Sequence, residues 1–215
     1  MTLNADLFWS FRSPYSYLAI GRYRALTQSH DVAINLRPVF PLAIRQPDFF
    51  ERNHPNWLGY TMRDMMRVAQ MEGIAFGPPR PDPIVQNIFT REIAADQPYI
   101  YRLTRLGQAA ARAGKSLDFC AEVAPLIWGG QENWHAGDHL AKAAARAGCD
   151  LAALDAEAVA DADALDAEIA ANQTALEAAG HWGVPTLVFD GEPFFGQDRI
   201  AMARWRMDQK GLTAR

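Results

Sequence analysis

The sequence predicts a mixed α/β core interrupted by a large, all-helical insertion. Three observations carry that reading. The opening stretch runs strand, helix, strand; the end of the chain holds an apolar hairpin followed by a helix; most of what lies between has helical spacing. A chain of 215 residues is long enough for one domain with a sizeable core, or for a core that carries such an insertion.

Each element follows from its residues. "ADLFW", 5–9, is a short apolar run ahead of a Ser-rich turn and reads as a strand. A helix then starts at Pro14, a residue suited to the first helical position, with Leu18, Tyr23 and Leu26 near helical spacing. "VAINLRPVF", 32–40, alternates apolar with polar and reads as the second strand. From Pro41 the chain turns rich in Pro, Asn and aromatics ("RQPDFFERNHPNWLGY"), which suggests a long irregular connection. "YTMRDMMRVAQMEG", 60–73, reads as a helix stopped by Gly73, and the Pro-rich "FGPPRPDP" as a loop. A helical stretch of roughly a hundred residues follows, broken at Gly114, Gly129-Gly130, Gly148 and Gly180. Its last segment puts Leu165, Ile169 and Leu176 on one face. "PTLVFDGEPFFG" is two apolar runs around an Asp-Gly turn, a hairpin signal, and "QDRIAMARWRMDQKG" is the closing helix. Residues 1–42 and 181–215 therefore form the expected α/β domain, and 43–180 the inserted helical domain.

Composition narrows the function. Hydrophobic residues make up 49%, charged residues 21%, and the net charge of −4 gives no electrostatic case for nucleic acid or an anionic membrane. No apolar run approaches the ~20 residues that span a bilayer. "MTLNADLFW" lacks the pattern of a secretory signal, so a cytoplasmic location is expected. Cys120 and Cys149 belong to no Cys-x-x-Cys or zinc spacing and read as small buried hydrophobes.

Three short motifs could carry chemistry. Ser13-Pro14-Tyr15-Ser16 has the outline of a redox Cys-Pro-x-Cys motif in which both sulfurs have become hydroxyls. A helix N-terminus there favours an anion, and a serine hydroxyl can donate to a thiolate brought from outside. The plainer reading of Ser13 is an N-cap. Val184-Pro185 at a strand entry suggests a cis proline, which would leave the Val184 backbone N–H and C=O exposed to an extended peptide-like ligand; most X-Pro bonds are trans. Gly196-Gln197-Asp198-Arg199 opens the last helix, where side-chain oxygens can accept from an ammonium while free N–H groups receive a carboxylate. An ordinary capping turn explains that segment equally well.

Taken together, the sequence resembles the 2-hydroxychromene-2-carboxylate isomerases and kappa-class glutathione transferases, within the DsbA-like thioredoxin superfamily. "DLFWSFRSPYSYLA", "LRPVFPLAI", "YTMRDMMRVAQMEGIAF" and "GVPTLVFDGEPFFGQDRI" carry the resemblance, which covers most of the chain. It implies a thioredoxin-like core with a helical insertion, glutathione as cofactor, and a homodimer. It implies that Ser13 hydrogen-bonds the glutathione sulfur, that Val184 pairs with the cysteinyl backbone beside cis Pro185, and that Gln197 and Asp198 hold the γ-glutamyl end. Asn53 falls where the family often has an asparagine near the glycyl end. The activity implied is a glutathione-dependent isomerisation of a small aromatic carboxylate, with a kappa-like transferase or a non-catalytic thioredoxin-fold module as alternatives. Two positions depart from the family pattern. Ser10 stands where an aspartate is frequent, and a lysine common ahead of the first inserted helix is replaced around Trp57. Arg12 could supply cationic stabilisation instead, and Arg12 or Arg199 could anchor a substrate carboxylate. Trp57, in a stretch read as loop, is the aromatic expected to face substrate, whereas Trp9, Phe11, Trp128 and Trp134 fit packing roles. His181 precedes the cis-proline turn and is expected to line the cleft. His135 and His139, spaced i, i+4, read as surface or capping residues rather than metal ligands.

Overall fold

A computed structural model describes residues 2–50, 53–87 and 92–215. Strand β1 (Leu3–Trp9), helix α1 (Pro14–Ser29) and strand β2 (Val32–Pro38) form the opening unit, with β1 and β2 parallel. The hairpin β3 (Thr186–Phe189) and β4 (Glu192–Phe195) completes a four-stranded sheet in the order β2-β1-β3-β4, with β3 antiparallel to both its neighbours. Asp190 and Gly191 both have positive φ, 53° and 77°, the backbone that a two-residue hairpin turn requires. Pro193 is tolerated because β4 is an edge strand. Helix α9 (Ile200–Asp208) closes the chain.

Between these halves lie α2 (Leu42–Arg45), a 3-10 turn (Pro47–Phe50), α3 (Asn56–Glu72), α4 (Ile100–Arg112), α5 (Ser116–Trp128), α6 (His139–Arg146), α7 (Leu151–Ala160) and α8 (Ala162–Ala178). Two expectations are corrected. The helix expected over 60–73 begins at Asn56, so Trp57 stands in its first turn rather than in a loop. The long helical stretch starts only at Ile100. Ahead of it the Gln97 amide donates to the Val85 and Ala94 carbonyls and accepts from the Val85 N–H. That side chain satisfies backbone groups a helix would have paired internally. Residues 88–91 of the same stretch lie outside the described residues.

One buried cluster runs from Ala5, Leu7 and Trp9 on β1 through Leu18 and Tyr23 on α1 to Leu103, Phe119 and Leu140 in the inserted helices. The alternation of β1 sends Phe8 to the other face, where it meets Leu176 of α8 and Val39. At the junction the buried Asn172 accepts from Arg37 Nε and donates to the Pro38 carbonyl and Gln108 Oε1, binding α8, β2 and α4 together. The insertion thus packs against the β2 side, and leaves the strand-to-helix end of β1 facing the hairpin entry.

Candidate active site

The site is built on the first turn of α1. Ser13 is the N-cap: its Oγ accepts from the Ser16 N–H at 3.2 Å, and Pro14 follows where a missing N–H costs nothing. No acidic side chain stands in that turn to offset the positive end of the helix. The same Oγ donates its proton to the Val184 carbonyl at 3.2 Å, across 171 residues of sequence. Ser16 is turned inward, 0% exposed, with its hydroxyl unpartnered among the described residues. Ser10 is also buried, and its Oγ has no partner among the described residues either. Of the three hydroxyls, only that of Ser13 meets the cis-proline turn.

The Val184–Pro185 bond is cis. The carbonyl expected to be free at Val184 is taken by Ser13, whereas no acceptor among the described residues meets the Val184 N–H. The closing helix expected from Gln197 begins only at Ile200, so Gln197 and Asp198 lie in the turn ahead of it, and the Gly196 N–H fastens that turn to the Pro185 carbonyl at 2.9 Å. Gly196 has φ 108°, and a β-carbon there would stand 2.6 Å from Asp198 Oδ1. Glycine is what lets the Asp198 side chain fold back.

Gln197 is buried, and its Oε1 accepts from Arg22 Nη2 of α1. Asp198 is exposed, paired with Arg199 at 2.7 Å, and near enough to α1 for its charge to help raise the Tyr15 pKa. That phenol is pushed up first by burial and next by its 2.6 Å hydrogen bond to Asp64, so it stays protonated. Ser13, Val184, Pro185, Gln197 and Asp198 are thus brought together.

The remaining expected residues are placed differently. Arg12 points to the insertion, its Nε and Nη2 on the two oxygens of Asp82 and its guanidinium 4.9 Å from the centre of the Trp128 ring. Asn53 donates to the Phe49 carbonyl, and Trp57 packs edge-on against Phe49. Phe49 in turn lies 5.1 Å from Trp182, so this segment reaches the site through aromatic contacts. Trp9, Phe11, Trp128 and Trp134 are core residues, and the three indole N–H groups donate to backbone carbonyls. Among the described residues no three His, Cys, Asp or Glu side chains are grouped to hold a metal ion.

Sequence reasoning missed Arg45. It donates from Nε to the Phe40 carbonyl and from Nη2 to the Trp182 carbonyl, and Nη1 has no partner among the described residues. Burial lowers its pKa to about 10, which leaves it charged at neutral pH. Phe195 was likewise missed: 42% exposed on the edge strand, it stacks on His181 at 4.0 Å. Neither contact has a local signal, because the partners are far apart in sequence.

A parallel β1-α1-β2 unit joined to a β3-β4-α9 unit, with a helical insertion and a cis proline opposite an α1 N-terminus, defines a thioredoxin-like protein. The profile of the DSBA-like thioredoxin domain family matches residues 5–208, and the chain belongs to that family. Curated proteins yield no match. Among solved structures, the chain is similar to a 2-hydroxychromene-2-carboxylate isomerase at 22% identity and TM-score 0.71, over 96% of this chain and 95% of that one. It is similar to a probable DsbA oxidoreductase from Streptomyces coelicolor at 16% identity and TM-score 0.67, covering 96% and 89%. It also resembles the cytosolic disulfide reductase DsbM from Pseudomonas aeruginosa with GSH, at 15% identity and TM-score 0.60, covering 97% and 100%. At these identities the likeness is one of fold. No helix among the described residues is long and apolar enough to cross a membrane.

Proposed function

We propose that the chain is a glutathione-dependent isomerase of the 2-hydroxychromene-2-carboxylate isomerase type, acting on a small aromatic carboxylate. The observation that carries this reading is the Val184 N–H. No acceptor among the described residues meets this donor of the cis-proline turn, and it stands beside a hydroxyl at a helix N-terminus. That is the complement of a peptide-like thiol: an N–H for a backbone carbonyl and an O–H with a positive helix end for a sulfur anion. In this reading Gln197, held by Arg22, and the exposed Asp198 take the amino-acid end of the ligand. The fold neighbours support the reading, one being named as this isomerase and another having been solved with GSH.

Bound there, glutathione would supply a thiolate that adds reversibly to a conjugated carbon and is expelled once the carbon skeleton has rotated. The protein's part is electrostatic and positional. Ser13 would turn its proton from the Val184 carbonyl to the sulfur, which would free that carbonyl to accept from the ligand's backbone. Lowering a thiol pKa from ~8.5 toward ~7 raises the thiolate fraction at neutral pH by roughly tenfold. Arg45 rather than Arg12 is the better anchor for a substrate carboxylate. Arg12 is held on two sides by Asp82, whereas Arg45 has no carboxylate partner among the described residues. Disulfide exchange is disfavoured because the motif carries no sulfur and Cys120 is wholly buried, its thiol pushed up by burial.

A kappa-like transferase would use the same site, and a cytoplasmic homodimer is the expected setting for either. Titration of glutathione while following thiolate absorbance, wild type against Ser13→Ala, tests the binding claim; no bound thiolate in the wild type sinks it. Turnover of a hydroxychromene carboxylate with glutathione unconsumed supports the isomerase. Consumption with an electrophilic chloroaromatic supports the transferase, and turnover of neither leaves a non-catalytic module.

A further inference from the structure

The turn that presents Val184 is held at successive backbone atoms by different elements. Arg45 Nη2 donates to the Trp182 carbonyl at 3.1 Å, and Thr186 Oγ1 to the Gly183 carbonyl at 2.7 Å. Ser13 holds the Val184 carbonyl, and the Gly196 N–H holds that of Pro185. The remaining tie runs the other way: the Gly183 N–H donates to His181 Nδ1 at 2.9 Å. Imidazole is the one partner in this set whose ordinary titration falls between pH 5 and 8.

The ring is fixed as well as bonded. Phe195 stacks on it at 4.0 Å with planes 20° apart, and Trp182 lies at 5.4 Å with planes 18° apart. A β-carbon on Gly183 would stand 2.6 Å from the Phe195 ring and 3.0 Å from His181 Cε1, so the rings occupy the space a side chain would need. Because Nδ1 accepts, the neutral ring carries its proton on Nε2.

We propose that His181 is the positioning residue of the ligand-binding turn: its neutral ring holds the Gly183 N–H and so aims the adjacent Val184 N–H, and protonation at Nδ1 releases it. This rests on the reading that the turn binds glutathione. A proton on Nδ1 would set two donors against each other, turning the bond into a repulsion while the other ties stay unchanged. The surroundings leave the switch to the ring itself. From β4 the facing group is the uncharged Phe195, and Trp182 packs against the uncharged Phe49. Arg45 from α2 engages the neighbouring carbonyl, and Glu177 of α8 interacts with Arg45. Burial, the larger influence, lowers the pKa of the ring from its ordinary value against a smaller backbone contribution from Gly183 in the opposite direction, so the neutral ring prevails at neutral pH.

The test uses S-methylglutathione, whose sulfur does not ionise, with affinity measured across pH. The Gly183 amide shift and the His181 ring shift are followed by NMR in the same samples without ligand. Two variants separate the roles. His181→Phe keeps the stack and loses the acceptor. In His181→Asn the side-chain oxygen can accept from the N–H two residues on without titrating. Wild type is expected to lose about fivefold or more in affinity from neutral pH to pH 5, the worth of one hydrogen bond. Its Gly183 amide should move with the midpoint of the ring. The Phe variant should bind weakly at every pH, and the Asn variant should recover binding and show no acid loss. An acid loss that persists in the Asn variant overturns the proposal, as does a Gly183 amide indifferent to the protonation of the ring. Failure of S-methylglutathione to bind at any pH sinks the glutathione reading instead, and the amide titration still decides the role of His181.

Discussion

The Ser13 hydroxyl donates to the Val184 carbonyl at 3.2 Å while the same oxygen accepts from the Ser16 N–H, so one side chain caps α1 and closes the cis-proline turn. Replacing it should show both functions. Ser13→Ala is expected to lose about 1 kcal/mol of stability through the missing cap, measured by urea unfolding. The bound thiol pKa should rise in the same variant, read from thiolate absorbance against pH. A variant that loses stability but leaves the thiol pKa unchanged would confine Ser13 to capping.

Gly183 is where backbone and rings come closest. Gly183→Ala sets a methyl 2.6 Å from Phe195 and 3.0 Å from His181, so the stack must open. The expected cost is about 1–3 kcal/mol, seen as a lowered Tm together with a changed near-ultraviolet signal from Trp182. An unchanged Tm would mean that the rings give way freely.

Asn172 satisfies Arg37, the Pro38 carbonyl and Gln108 at the seam between sheet and insertion. Asn172→Ala strands those buried groups and should destabilise by about 1–3 kcal/mol. The urea midpoint should fall with the m-value retained, because the loss is in the native state.

The acid limit of stability should involve Glu168. Its carboxyl is held below its ordinary pKa, mainly by the Arg112 hydrogen bonds and also by Gln108, against a burial effect in the opposite direction. A folded-state pKa below the unfolded value contributes stability that is present above the unfolded pKa and is lost as pH falls through the folded one. Wild type should therefore be more stable than Glu168→Gln at neutral pH, and the gap should close below about pH 4. A gap that persists at lower pH would mean that Gln108 and packing, not the ion pair, set the difference.

Much of the architecture was legible because it is written locally. Ser13-Pro14 marks a helix start, Asp190-Gly191 a hairpin turn, and the alternation of 32–40 a strand, which the structure ends at Pro38. The start of α3 was not legible: Pro55 and Asn56 sit in a Pro-, Asn- and aromatic-rich stretch that looks like loop, yet the helix begins there. The stretch before Ile100 misled in the other direction, because Gln97 captures backbone groups of Val85 that no periodicity reveals.

The residues of the candidate site divide in the same way. The sequence offered Ser13, Val184-Pro185 and Gln197-Asp198 as local motifs, each with a plainer capping or turn reading beside it, and the family resemblance is what joined them into one candidate site. Only the tertiary structure decided which polar groups meet. It sent Arg12 to Asp82, 70 residues away, brought Arg45 to the turn, and closed the Val184 carbonyl while its N–H meets no acceptor among the described residues. Periodicity tells which face of an element is buried. A hydrogen bond depends on distances of about 3 Å and on direction, and these exist only once the elements have packed.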